Sequence, residues 1–140
     1  MPEFENFDYA TQQTGDIVVS AFQEKLDDTD DNHALWGYCL RIENNSDQRI
    51  RLLQKDFCFT NDRGIRQYDM SFGFNGELPD LEPGEIFEFE DTAYIEGKAA
   101  VLYGACIAST TDGSEFKINL PLIQMNSLNT RSPFINNIIH

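Results

Sequence analysis

Apolar side chains recur at every second position in short runs, and turn-forming residues separate the runs at intervals of about 8 to 12 residues, the pattern of an all-β chain. The clearest run is residues 35–43. There Trp36, Tyr38, Leu40 and Ile42 fall on one face and Gly37, Cys39, Arg41 and Glu43 on the other. Because successive Cβ atoms leave a strand on opposite sides, this alternation predicts a half-buried strand with Trp36 in the core. Upstream, residues 17–26 predict a first strand, and the acidic run 27–33 reads as its connection. Downstream, Asn44 to Asp47 turns the chain into a strand over 49–60. Asn61-Asp62-Arg63-Gly64 then supplies a second turn, and 65–69 returns as the partner strand.

From residue 70 to residue 85 the composition changes to Gly, Pro and acid, ending in Pro83-Gly84, so a long loop is expected. Residues 86–90 follow as a short strand, with Phe87 and Phe89 inward and Glu88 and Glu90 outward. Runs at 99–110 and 115–122 flank Thr111-Asp112-Gly113-Ser114, a hairpin signal because both central residues tolerate positive φ. Phe116, Ile118 and Leu120 give the last strand its core face. About seven antiparallel strands and no helix-period stretch predict an all-β sandwich or barrel. At 140 residues one core suffices. The domain is placed at 16–125, between an N-terminal arm at 1–15 and a C-terminal arm at 126–140.

Composition supports a folded globule over a disordered acidic chain, since 41% of residues are hydrophobic and 11 are Phe. A formal charge of -14 argues against nucleic-acid or anionic-membrane surfaces, which would repel it. The charge is concentrated. Residues 1–31 hold nine acids against Lys25, and residues 77–96 hold eight acids and no base. Solvated faces explain this, with a cation-binding or basic-partner surface as the alternative.

Three cysteines, Cys39, Cys58 and Cys106, lie in apolar strand-like runs without C-x-x-C spacing, so buried free thiols are expected. The N-terminus has neither a basic region nor an apolar stretch, and no segment approaches the length of a membrane span, which leads to an expectation of a cytoplasmic protein. Asn44-Asn45-Ser46 matches a glycosylation sequon but is better taken as a turn. Asp28, Asp30 and Asn32 match the first odd positions of a calcium loop. His33 replaces the required glycine and Cys39 stands where the bidentate Glu belongs, so no metal site is assigned. His33 and His140 stand far apart and neither accompanies a nucleophile elbow. No catalytic residue and no cofactor are therefore assigned.

Four stretches, in this order and spacing, carry a resemblance to a known family. They are Trp36-Gly-Tyr-Cys-Leu-Arg-Ile-Glu-Asn44; Leu53-Gln-Lys-Asp-Phe-Cys-Phe-Thr-Asn-Asp-Arg-Gly64; Pro79-Asp-Leu-Glu-Pro-Gly-Glu-Ile-Phe-Glu-Phe89; and Gly104 through Asp112-Gly113 to Leu120-Pro121. The chain resembles the ApaG family over these stretches, and residues 17–26 are similar to that family's first strand. The resemblance implies an immunoglobulin-like or fibronectin-III-like β-sandwich. It also implies a binding module, with metal-linked phenotypes in bacterial members and protein contacts in eukaryotic ones.

The family's glycine loop resembles G-x-G-x-x-G, and Ser71, Phe72, Gly73, Phe74, Asn75 and Gly76 occupy it here with the first glycine missing. In a dinucleotide-binding protein that motif opens a helix. An all-β context supplies none. Three readings stay open: an anion nest using Ser71, Gly73 and Gly76 with Arg63 and Arg66 nearby, a protein-contact loop, or a plain long turn. Phe72 and Phe74 read equally as packing or as partner contacts. The leading expectation is a non-enzymatic module that binds another protein through Phe72, Gly73, Phe74, Asn75 and Gly76, with self-association open. The alternative is a phosphate, pyrophosphate or divalent-metal-linked binding protein.

Overall fold

The computed structural model describes residues 9–126, which form two antiparallel sheets and no helix. One sheet has the order β1-β2-β3-β7, from Ala10–Thr14, Ile17–Asp30, His33–Asn44 and Ile86–Glu96. The other runs β10-β8-β4-β5, from Ile123–Met125, Ala100–Thr110, Ile50–Asn61 and Arg66–Asp69. Here β6 (Asp80–Leu81) adds to β4 and β9 (Glu115–Asn119) to β8. The protein is a β-sandwich, one of the two architectures the alternation allows and the one the family resemblance implies. The three strands beyond the expected seven are β1, β6 and β10, each of five residues or fewer.

Register explains the core. Leu40 lies opposite Ala21 and Phe89, and Ile42 opposite Val19 and Phe87, so one face of three strands is a continuous apolar row. Trp36, Tyr38, Leu40 and Ile42 are all buried, as their phase predicts, against Leu52, Phe57, Phe59, Leu102 and Ile118 of the facing sheet. Tyr38 meets Phe57, Phe59 and Phe89 with ring centroids 6.0–6.4 Å apart, within the range where tilted and edge contacts are favourable. Burial then raises the Tyr38 hydroxyl pKa, with the charges of Asp91 and Asp69 adding to the effect.

Several boundaries differ from the expectation. The run at 27–33 is not a loose connection: β2 continues to Asp30, and the reversal is confined to Asp31 and Asn32. Charge neutralisation permits this. Lys25 and Lys98 approach the Asp28 carboxylate at 3.1 and 3.4 Å, while Asp30 accepts bonds from Asn32 N at 2.7 Å and His33 Nδ1 at 2.9 Å. Likewise β7 runs on to Glu96, because β3 extends to His33 directly opposite it. Residues 10–14, placed in the N-terminal arm, form β1 and pair with β2. Of the two arms, residues 1–8 and 127–140 lie outside the described residues.

The two hairpins expected from turn chemistry are present, and the one at Asp112–Gly113 differs from the expected pair of positive φ values. At Asn61–Gly64 and at Asp112–Gly113 only the glycine has positive φ, 79° and 88°. Each glycine N–H donates back three residues, Gly64 to Asn61 O and Gly113 to Thr110 O, both at 3.0 Å. These are type I turns followed by a left-handed glycine. Side chains reinforce them. Asn61 Oδ1 accepts the N–H groups of Arg63 and Ile65, and Asp112 accepts from Ser114 N and the Thr110 hydroxyl. Those bonds, the Thr110 hydroxyl foremost, hold the Asp112 carboxyl at about 2.

Candidate functional site

The segment after β5 carries the residues singled out in the sequence, and its path is set by a β-bulge on β4. Pairing with β8 shifts between Leu52, opposite Ala108, and Gln54, opposite Ile107. The extra residue, Leu53, moves Lys55 into the inward row of β4 ahead of Phe57 and Phe59. Beside that bulge the chain from Asp69 onward keeps the antiparallel register begun by β5. Lys55 N donates to Ser71 O at 2.9 Å, Gln54 bridges Phe72, and Gly73 N donates to Leu53 O at 2.6 Å. Tyr68, Met70 and Phe72 therefore alternate onto the outer face of this sheet, beside Cys58, Asp56 and Gln54. All three are more than half exposed.

At Gly73 the alternation breaks. Its φ of 84° turns the chain so that Phe74 enters the sandwich, where it is fully enclosed and packs edge-on against Phe87 and Phe89 at 6.0 and 5.3 Å. Phe74 N and Glu77 N exchange bonds with each other's carbonyls at 2.8 and 3.1 Å. Asn75 and Gly76, with φ of 53° and 82°, are the two central residues of a type I′ turn. The glycine stretch is thus a two-residue hairpin pinned by a buried aromatic.

Beneath it lies a polar seam that the sequence pattern did not single out. Lys55, almost wholly buried, places Nζ 3.3 Å from Asp69, 3.8 Å from Asp91 and 5.0 Å from the centre of the Phe89 ring. Partial burial works against ionisation of Asp69, yet hydrogen bonds from Ser71 and the charge of Lys55 hold its carboxyl below the usual range. Asp91 comes from β7, the outer strand of its sheet among the described residues. That edge is closed by amides from the facing sheet: Asn61 Nδ2 donates to Glu96 O at 2.6 Å, Gln67 Nε2 to Tyr94 O at 2.8 Å and Asn75 Nδ2 to Glu90 O at 3.2 Å. Lys55 is in phase with Phe57 and Phe59, but the bulge at Leu53 puts it out of phase with Ile50 and Leu52, so alternation counted from the start of β4 faces it outward.

The expected site residues separate on this scaffold. Phe72 is exposed, but Phe74, expected at a partner surface, is a core residue, because positive φ at Gly73 reverses its side. Gly73 is buried, and Asn75 and Gly76 form the turn. The residues of the proposed anion nest are not brought together. Arg63 pairs with Glu96 at 3.5 Å, and Arg66 meets the Tyr68 hydroxyl, which raises its pKa. Ser71 Oγ donates to the Asp69 carboxylate at 2.7 Å, and the Gly73 N–H is taken by Leu53. A carboxylate beside Ser71 and the engaged N–H of Gly73 work against an anion at this place.

The ApaG domain profile matches residues 24–108, more than half of the chain. The chain belongs to the ApaG family. It is 31% identical over 120 residues to Protein ApaG of Paramagnetospirillum magneticum, covering 84% of this chain and 92% of that one. To Protein ApaG of Agrobacterium fabrum it is 28% identical over 117 residues, covering 81% and 90%. Its fold matches the crystal structure of a Bordetella pertussis protein titled ApaA with a TM-score of 0.75 at 19% identity, covering 82% and 96% of the two chains. The hairpin and the Lys55 seam of this ApaG domain both fall inside the matched region.

Proposed function

We propose that this ApaG domain is a non-catalytic protein-contact module whose contact surface is the apolar row Tyr68, Met70 and Phe72. The observation that carries the reading is the exposure of that row, with Phe72 at 66%, on a segment held rigidly by Phe74 beneath it. Three large apolar side chains aligned on a sheet edge leave surface that a partner would remove from water, and an aromatic anchor on a preorganised backbone loses little entropy on binding. Among the described residues β5 is the outermost strand of its sheet, the position at which a partner strand would add.

Absence of catalysis is supported by the state of the candidate nucleophiles. Burial pushes the Cys39 and Cys106 thiols up to about 12, so neither supplies a thiolate at neutral pH. His33 is engaged by Asp30 and stacked on Tyr94 with ring centroids 5.0 Å apart.

A photo-crosslinking residue placed at Phe72, compared with one at Glu88 on the opposite sheet, tests the reading. A discrete protein adduct is expected from position 72 only, and it should vanish when Met70→Ala is added without change in melting temperature. Equal labelling from both positions removes the proposal, and adducts to the protein's own chain identify self-association.

A further inference from the structure

The edge formed by β5 is longer than the strand itself. Gln54 faces Phe72, Phe57 faces Asp69 and Phe59 faces Gln67, one unbroken register that the Gly73 N–H extends to Leu53. The bonds to β4 fall on Ser71 O and Gly73 N. Alternate residues of an antiparallel strand aim N–H and C=O to opposite sides, so Tyr68, Met70 and Phe72 aim theirs away from β4, on the side where β5 is outermost among the described residues. The side chains between them are engaged within the fold: Gln67 on Tyr94 O, Asp69 on Lys55 and Ser71 on Asp69. Edge strands that stay single are commonly blunted by Lys or Pro. Residues 66–73 hold neither.

This strip also differs in charge from its surroundings. In a chain of formal charge -14, residues 65–76 carry one base, Arg66, and one acid, Asp69. The acidic runs at 1–31 and 77–96 repel a second copy of the chain, and a neutral strip does not. The strip is complementary to itself as well. With a two-fold axis at Met70, Tyr68 faces Phe72 of the second copy, Met70 faces Met70 and Asp69 faces Ser71. Cross-strand aromatic pairs stabilise antiparallel strands. Moving the axis to Asp69 sets two carboxylates directly opposite each other, which is destabilising. An axis at Tyr68 leaves Phe72 opposite Gly64 of the second copy, with no side chain to meet.

We infer that two copies of this chain pair antiparallel through the 66–73 edge about an axis at Met70, joining their second sheets into one. The inference rests on the contact reading of the Tyr68, Met70 and Phe72 row and names its partner. Three apolar side chains on so short a strand place the contact at the small end of specific interfaces, so the pair forms in the micromolar range. Repulsion between two chains of charge -14 opposes pairing and is screened by salt, so the pair tightens as ionic strength rises.

Sedimentation equilibrium of the full chain over about 1 µM to 1 mM, at low and high salt, tests the pairing. A monomer–dimer equilibrium that tightens with salt is expected. Met70→Lys should weaken it at least about tenfold, because an apolar pair is lost and two ammonium groups meet at the axis. Met70 is 53% exposed, so the variant monomer keeps its fold. Leu122→Lys, at an exposed position before β10, makes the same change in net charge and should leave the equilibrium unaltered. Disulfide trapping reads the register. Across the axis the two Met70 Cα atoms stand about 5.5 Å apart, within a disulfide's reach, whereas the two Tyr68 Cα atoms stand about 14 Å apart. Met70→Cys should therefore give a bridged dimer on mild oxidation and Tyr68→Cys should not, the native cysteines being buried. A chain that stays monomeric throughout overturns the inference and leaves the row for a different protein, and the contact reading fails with it only if position 72 also yields no discrete adduct. A dimer that survives Met70→Lys, or one that bridges at Tyr68→Cys as readily as at Met70→Cys, overturns the proposed pairing.

Discussion

Phe72 and Phe74 stand two residues apart, yet Phe72 projects into solvent and Phe74 is sealed against Phe89 with ring centroids 5.3 Å apart. The residue between them, Gly73, causes the reversal with its φ of 84°. Phe74→Ala should therefore cost about 3 to 5 kcal/mol, the scale for a buried Phe. Phe72→Ala should change stability by less than about 0.5 kcal/mol, as at an exposed position. Urea unfolding of the two variants separates core from surface, and equal midpoints would contradict the placement.

Lys55→Ala should lose about 2 to 3 kcal/mol. It strands Asp69 beside Asp91, and the loss stays below that of a fully enclosed pair because both carboxylates keep about a third of their side chains in water. Lys55→Met, which keeps the stem over Phe89 but leaves the two carboxylates unpaired, should recover only the smaller packing part. Denaturant melts of both variants at one pH provide the comparison.

Gly104 pairs with Phe57 on β4 at a φ of 131°, and a Cβ there would stand 2.1 Å from Asp56 O. Both contact and backbone forbid a side chain, so Gly104→Ala should cost on the order of 3 kcal/mol or more. Gly113→Ala meets no atom and should cost only about 1 kcal/mol, from its positive φ. Thermal melts that rank the two in the opposite order would refute the close approach.

Asp80 gives a pH signature. Hydrogen bonds from Arg51 and Arg49 hold its carboxyl at about 2, against an ordinary 3.8. The folded value is the lower one, so its stabilisation is complete above about pH 4 and disappears as pH falls toward 2. Asp80→Asn should thus be less stable than the wild type at pH 6 and converge with it near pH 2. Urea midpoints across that range give the difference curve, and a constant offset would exclude the linkage.

Thiol labelling tests burial directly. Cys106 is fully enclosed and Cys39 nearly so, each with its thiol pushed up to about 12. Both should react with a disulfide reagent only after denaturant is added. Rapid reaction of either in the native protein would show that the strand opens locally.

By itself the sequence determined the all-β class, the inward row of Trp36, Tyr38, Leu40 and Ile42, and the hairpins at Gly64 and Gly113. A period of two and the φ tolerance of glycine are properties of neighbouring residues, so they are readable without the fold. Asn75-Gly76 was readable too, as a two-residue hairpin signal, but the nearby glycine invited comparison with a phosphate loop. Only the tertiary structure decided the rest. The bulge at Leu53 let Lys55 follow Phe57 and Phe59 inward although Ile50 and Leu52 are inward too, positive φ at Gly73 sent Phe74 into the core, and the bulge at Leu26 laid that side chain over Gly37. Each is a break in alternation whose side depends on a strand distant in sequence, so the local pattern carries no record of it.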